Sequence, residues 1–334
     1  MPLKMYEEPM SGVKQIVAIA AGKGGVGKST VTVGLAHALV AMGFRVGILD
    51  ADVYGPSIRK MVGDGELPYK EGDKLFPALS QGIKMMSMAF FRKEGQSDAV
   101  RAPVASSFVT QFLKEIQWGQ LDFLLIDFPP GTGDIQLTLC QQAKLRGAVM
   151  VTTPQEVAVM DVRKAINLFQ KVHVPILGIV ENMSYYLVNQ TPHYLFGQGG
   201  GKRLANEVSV PLLADIPIDP EIGKALEEGR PFSHPSFVTL AKLLVGQTSE
   251  RHAISFYQKD RHHLVVAWEN GETKTFRFAE LQKKCPCAAC DKPQVDEEVG
   301  ATSVEEVGRY ALKIKFTSGC SSGLYPFEQL RTSR

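Results

Sequence analysis

Long apolar runs are missing from this chain of 334 residues. None approaches the roughly 18 residues that a membrane span requires. Met1 to Met10 also lacks the basic and apolar regions of a secretory signal. The expectation is a soluble, cytoplasmic protein with no membrane partner. Charge of one sign is missing as well, since 37 Lys and Arg face 35 Asp and Glu, for a formal net charge of +2. With no basic stripe and no basic amphipathic C-terminal helix, there is no electrostatic footprint for nucleic acid or a membrane surface. Cysteine is scarce, at five residues, and four of these lie within the last fifty positions. A disulfide framework would be spread more evenly, so in a reducing compartment this clustering points to metal.

What is present is ordinary for a globular chain, with 44% hydrophobic and 22% charged residues. The length suits one large domain followed by a small one. One stretch organises the rest: Gly22-Lys23-Gly24-Gly25-Val26-Gly27-Lys28-Ser29-Thr30. It follows the apolar run Ile16 to Ala20 and precedes a segment, Thr30 to Met42, in which Val33, Ala36 and Val40 recur at helical spacing. Strand, glycine loop and helix form the context that a phosphate loop requires, and Gly22 through Ser29 meets its spacing of Gly, four residues, Gly-Lys and Ser or Thr. The chemistry explains the residue types. Glycines let backbone N–H groups turn toward a phosphate, and the helix N-terminus adds positive potential. Lys28 reaches the outer phosphates, and the Ser29 hydroxyl can ligate Mg²⁺.

Gly43 stops that helix, and Val46 to Leu49 reads as a buried strand ending in Asp50-Ala51-Asp52. Carboxylates at the C-terminal end of a parallel strand lie where α/β sheets place ligands. Asp50 has two readings: a direct catalytic role, or satisfaction of backbone donors at a strand end. Residues 62–82 are rich in turn formers and give no clear element. Ile83 to Met88 suggests a strand with Met85, Met86 and Met88 as core filler, and Val104 to Ile116 suggests a helix. Phe123-Leu124-Leu125-Ile126-Asp127 reads as a central parallel strand delivering a carboxylate beside the phosphate loop, so Asp127 is expected to hold Mg²⁺ through water. Cys140, in a helix-like segment, reads as a small buried residue. Ala148 to Pro154 is a further strand, Val157 to Lys171 a helix, and Ile176 to Val180 a strand running into Glu181-Asn182-Met183-Ser184. The alternation predicts an α/β P-loop NTPase fold, with a mainly parallel sheet and helices on both faces.

That domain is expected to span 14–246, behind a loose tail of 1–13 and ending in a helix near Phe237 to Val245. The polar stretch 247–261 reads as a linker to a small α+β domain, 262–334. In it, Leu264 to Trp268 and Thr273 to Phe278 flank Glu269-Asn270-Gly271-Glu272, whose Asn-Gly pair signals a hairpin. Cys285-Pro286-Cys287-Ala288-Ala289-Cys290 follows, and Cys320 comes thirty residues later, after a strand over Ala311 to Phe316. Cys285, Cys287 and Cys290 can converge on one metal, with Cys320 completing a tetrahedral thiolate set. Such a set suits Zn²⁺ or an iron–sulfur cluster.

Lys23 is not needed for an ordinary phosphate cradle, and here the chain resembles the deviant Walker A ATPases, a group that includes the MinD/ParA proteins and the Mrp-type (ApbC-like) iron–sulfur carriers. The resemblance covers residues 14–331. It rests on Lys23, on Leu49-Asp50-Ala51-Asp52-Val53-Tyr54-Gly55-Pro56-Ser57, on Pro129-Pro130-Gly131-Thr132-Gly133-Asp134 and on Gly199-Gly200-Gly201-Lys202-Arg203. It implies that Lys23 crosses an interface to touch nucleotide on another subunit, and hence a homodimer that closes on ATP. It implies that Asp52 positions the attacking water and the Mg²⁺ shell, that the segment ending in Asp134 is a second nucleotide switch, and that Asn182 reads the adenine edge. Where Mrp-type carriers have Cys-Pro-x-Cys, this chain runs from Ser184 to Gly197 without a cysteine, and His193 reads there as a hydrogen-bonding loop residue.

The tail resembles the small N-terminal domain of gamma-butyrobetaine hydroxylase, in which Cys-x-Cys-x-x-Cys and a later histidine hold zinc; Cys320 occupies the histidine position. The same module follows the ATPase in plastid-type relatives that assemble [4Fe–4S] clusters and also lack Cys-Pro-x-Cys. The expected function is an ATP-dependent iron–sulfur cluster carrier or assembly factor with slow ATP turnover, passing clusters from a scaffold to recipient apoproteins. Two rivals stand beside it: an ATP-switched adaptor with structural zinc, and a MinD/ParA-like positioning ATPase.

Overall fold

The computed structural model describes residues 10, 12–53, 55–91, 102–248, 255–268, 271–285, 296–307, 311–318 and 323–332. The chain divides into two compact units, 1–248 and 249–334. The first opens with β1 (Val13–Ala21), α1 (Lys28–Ala41), β2 (Val46–Asp50) and α2 (Ile58–Val62). Three short strands follow, β3 (Tyr69–Glu71), β4 (Lys74–Phe76) and β5 (Ala78–Ser80), then β6 (Ile83–Ser87) and α3 (Ala102–Glu115). Next come β7 (Leu121–Asp127), α4 (Asp134–Gln142), β8 (Gly147–Thr152), α5 (Glu156–Lys171), β9 (Ile176–Val188) and β10 (Thr191–His193). α6 (Gly200–Glu207), β11 (Leu212–Ile218), α7 (Pro220–Glu227) and α8 (Pro235–Thr248) complete the unit.

Parallel strands run in the order β11-β9-β8-β1-β7-β2-β6, and β5 closes the β6 edge antiparallel. Both faces are covered, which is why the strands read as continuous apolar runs. Ile16, Ala18 and Ala20 of β1 join the core on one face, with Phe112 of α3, Leu139 of α4, Ile166 of α5 and Leu204 of α6. Val17, Ile19 and Ala21 join the other, with Leu35 of α1, Ile58 of α2, Leu226 of α7 and Phe237 of α8. α1 is apolar almost all round because the sheet lies on one side of it and α8 on the other. Gly34 allows that approach, since a Cβ there would stand 2.4 Å from the Phe237 ring.

Two features of this unit differ from the sequence reading. Residues 62–82 hold β3, β4 and β5, each three residues long and too short for a two-residue period to register. The stretch around His193, expected to be loop, is a hairpin: pairing of β9 with β8 ends at Glu181, β9 continues to Val188, and β10 folds back on its last residues.

One polar ring in this core has a pH consequence. His37 of α1 lies edge-on to Phe232 with centroids 5.3 Å apart, and burial holds its pKa below the usual 6.5, outweighing the nearby Gln81 side chain, which favours the protonated ring. The unfolded chain therefore gains a proton that the folded chain refuses. This contribution to stability is complete above pH 6.5 and is lost as the pH falls below it. The melting temperature of the wild type is expected to drop more than that of His37→Phe when the pH is lowered from about 7.5 to about 5.5. Equal drops would show that His37 is not the group responsible.

The second unit consists of β12 (Ser255–Gln258), β13 (His263–Ala267), β14 (Thr273–Arg277), α9 (Phe278–Lys283), β15 (Ala301–Val307), β16 (Ala311–Phe316), β17 (Gly323–Pro326) and α10 (Phe327–Thr332). Its two antiparallel sheets, β12-β13-β14 and β15-β16-β17, share a core of Leu264, Val266, Trp268, Phe278, Ile314 and Tyr325. β12 falls within the stretch that the sequence suggested as a linker. No helix among the described residues is long and apolar enough to cross a membrane.

Candidate nucleotide site

The loop between β1 and α1 turns through Gly25 and Gly27, whose φ values of 83° and 81° favour glycine. Gly27 is the N-cap of α1, no side chain among the described residues caps the helix, and no acid occupies its first turn. The first N–H groups of α1 are thus left for an external acceptor, with the helix dipole behind them. Neighbouring atoms also require glycine, at Gly22 and for a second reason at Gly27. A Cβ on Gly22 would lie 2.3 Å from the Asp161 carbonyl oxygen, and one on Gly27 would lie 2.1 Å from Asn182 Nδ2. At Gly24 and Gly25 a Cβ would meet nothing within 4 Å, so the mouth of the loop has room for a ligand.

The carboxyl ends of four strands stand abreast here. Ser87 of β6 is in register with Asp50 of β2, Asp50 with Asp127 of β7, and Asp127 with Ile19 of β1. Asp127 is fully buried, and the Lys28 ammonium lies 2.7 Å from its Oδ2. Ser29 Oγ donates to the same oxygen at 2.7 Å, and Thr32 Oγ1 donates to Oδ1 at 2.7 Å. A buried carboxylate is tolerable only when paired and hydrogen-bonded, and these three groups meet that need. Thr32 was missed in the sequence. Its signal was its spacing, one helical turn beyond Lys28 and so on the same face of α1.

Asp50 is also buried. Desolvation, and secondly the charge of Asp127, push its pKa up to about 7 against the pull of Ser87, Lys28 and the Ile58 N–H. Its Oδ2 accepts from Ser87 Oγ at 2.9 Å. Asp52 lies half-buried beyond the strand end, and its Oδ1 accepts from Gly55 N at 3.2 Å. Lys23 is half-buried on the rim of the loop.

Asn182 sits on β9 just past the point where β8 stops, and so it reaches over the end of β8 to the phosphate loop. Its Nδ2 donates to the Val26 carbonyl at 2.8 Å. Beside it, the buried Glu181 accepts from Gly201 N at the start of α6, with burial raising its pKa against that bond. A Cβ on Gly201 would lie 2.9 Å from Glu181 Cβ, which explains a glycine there. A single sequence could not disclose either contact, because each joins segments that lie apart in the chain.

Of the four C-terminal cysteines, Cys285 lies just beyond α9, whereas Cys287, Cys290 and Cys320 lie outside the described residues. Among the described residues no group of three or more His, Cys, Asp or Glu is placed to hold a metal ion. Cys140 is buried in α4, and burial pushes its thiol up to about 11.

A phosphate loop after the first strand, an uncapped helix behind it, and a lysine paired to the acid that ends the adjacent strand define a P-loop NTPase of the MinD/ParA-like fold. The chain belongs to the NUBPL iron-transfer P-loop NTPase family, whose model matches residues 12–244. Residues 256–331 match the gamma-butyrobetaine hydroxylase-like N-terminal domain. An iron–sulfur cluster carrier protein of Deinococcus radiodurans is 45% identical over 254 residues, covering 72% of each chain. A nucleotide-binding protein from Archaeoglobus fulgidus, solved in complex with ADP, is 39% identical with a TM-score of 0.60, over 69% of this chain and 92% of that one. The cell division ATPase MinD of Pyrococcus furiosus shares the fold, with a TM-score of 0.51 and 23% identity over 70% of this chain and 99% of its own.

Proposed function

We propose that this protein is an ATP-dependent iron–sulfur cluster carrier. Residues 14–246 bind and hydrolyse ATP, and residues 262–334 hold a cluster that is passed from a scaffold to recipient apoproteins. The observation that carries the nucleotide half is the convergence of Lys28, Ser29 and Thr32 on buried Asp127 beside an uncapped helix N-terminus. This donor set fits Mg²⁺, which takes hard oxygens and commonly only one or two carboxylates beside water and phosphate. Ser29 and Asp127 would hold the ion with Asp52 in its outer shell, and it would neutralise charge on the phosphoryl oxygens.

In this reading the backbone from Gly22 to Thr30 cradles the phosphates and Lys28 supplies charge to the outer ones. Asp52 orients the attacking water, and Lys23 reaches nucleotide on a second copy, which makes the working state a homodimer. An asparagine amide has two N–H groups and a carbonyl, so Asn182 can brace Val26 with one and still offer donor and acceptor to adenine.

The cargo is assigned to Cys285, Cys287, Cys290 and Cys320, with a [4Fe–4S] cluster as the expected species and the cytoplasm as the place of work. The name of the Deinococcus radiodurans relative supports the cargo. Support for convergence comes from Gln282, whose Nε2 donates to the Ser318 carbonyl at 2.6 Å. That bond ties the chain three residues before Cys285 to the chain two residues before Cys320. Anaerobic reconstitution with iron and sulfide tests the reading. The expected result is visible sulfur-to-iron absorption and transfer to an apoprotein acceptor that responds to ATP. A colourless protein that retains only zinc would overturn the cargo half, because d¹⁰ zinc gives no such band.

A further inference from the structure

We infer that Asp50 is a positioning residue that fastens both ends of the Asp52 loop to the sheet. The inference rests on the proposed role of Asp52 in orienting water. Asp50 is 1% exposed, and three donors from three separate places converge on its carboxylate. Oδ1 accepts from the backbone N–H of Asp52 at 3.2 Å, at the start of the loop. Oδ2 accepts from the backbone N–H of Ile58 at 3.3 Å, where the loop enters α2. Oδ2 also accepts from Ser87 Oγ at 2.9 Å, and Ser87 Oγ itself accepts from Ala89 N at 3.1 Å.

One side chain therefore ties the end of β6 to both ends of the segment that carries Asp52. Ser57, the N-cap of α2, makes no side-chain cap, so Asp50 serves from a distance as the acceptor for that helix. Val53 and Ile58 are buried, whereas Asp52, whose backbone makes the first tie, is only half-buried. The ends are fixed, and the acid keeps part of its surface in solvent.

A neutral amide could not replace this group. Asparagine offers one acceptor oxygen where three donors converge, and its NH₂ would face donors. The position of Asp50 beside Asp127 is electrostatically costly, and its three hydrogen bonds are what offset that cost. Asp50 acts through the loop rather than on the phosphate.

Hydrogen exchange of the full-length, nucleotide-free protein tests this in Asp50→Asn and in the milder Ser87→Ala. In both, amides from Asp52 to Ile58 should exchange about tenfold faster or more, the equivalent of one hydrogen bond to a charged group, while α1 keeps its protection. ATP turnover should fall in kcat with the KM for ATP little changed, because the phosphate loop is untouched. Unchanged exchange over 52–58 in Asp50→Asn overturns the inference, and a loss of turnover alongside it would assign the carboxylate to the metal or phosphate directly. If the wild type does not hydrolyse ATP, the proposed function fails, but the exchange measurement still decides whether Asp50 holds the loop.

Discussion

Lys28→Ala is expected to reduce ATP hydrolysis on the order of 100-fold or more, as loss of one preorganised charge at a phosphoryl site does. It should also make the nucleotide-free protein less stable. The Lys28 ammonium is the cation 2.7 Å from fully buried Asp127, and removing it leaves that carboxylate with only the Ser29 and Thr32 hydroxyls. Removing one partner of a buried pair costs about 3–5 kcal/mol. The two effects separate in a double variant. Lys28→Ala with Asp127→Asn removes the stranded charge, so it should recover much of the stability and none of the hydrolysis. Denaturant melts and steady-state ATP turnover on the four proteins complete the cycle. Hydrolysis surviving in Lys28→Ala would mean that this loop is not the site, and a double variant no more stable than the single one would mean that the pair does not hold Asp127 in place.

Replacing Cys285 and Cys320 together with serine should empty the proposed cargo site while leaving ATP turnover intact. A serine hydroxyl does not ionise to a soft ligand near neutral pH, so two of the four thiolates are lost and the remaining pair cannot close a tetrahedral set. Iron, sulfide and zinc content measured after anaerobic reconstitution should all fall to background. Cys140→Ala supplies the control, because a buried thiol pushed up to about 11 is a poor ligand and its removal should leave cluster loading unchanged. Iron and sulfide retained at wild-type levels by the double serine variant would place the cargo elsewhere.

The nucleotide site was legible in the sequence where its chemistry is local. Gly25, Gly27, Lys28 and Ser29 lie within one turn of chain, and their spacing alone selects a loop that presents N–H groups to an anion. Asp127 was legible because four apolar residues running into an acid mark a buried strand whose carboxylate emerges at the ligand-binding end of a parallel sheet. Thr32, Ser87 and the bond from Asn182 to Val26 were not, since each joins elements far apart in the sequence. Asp50 falls between these cases. Its place at a strand end was readable, but the choice between touching substrate and gathering backbone donors depended on where Ile58 and Ser87 came to lie.

The sequence by itself determined the class of fold and the phosphate loop, because periodicity and glycine conformation are properties of short segments. Only the tertiary structure decided the strand order that sets Ser87, Asp50 and Asp127 side by side, the length by which β9 outruns β8, and the bond from Gln282 to Ser318. Strand register and buried hydrogen bonds are settled by packing between distant segments, and a linear string of residues does not contain the distances on which that packing depends.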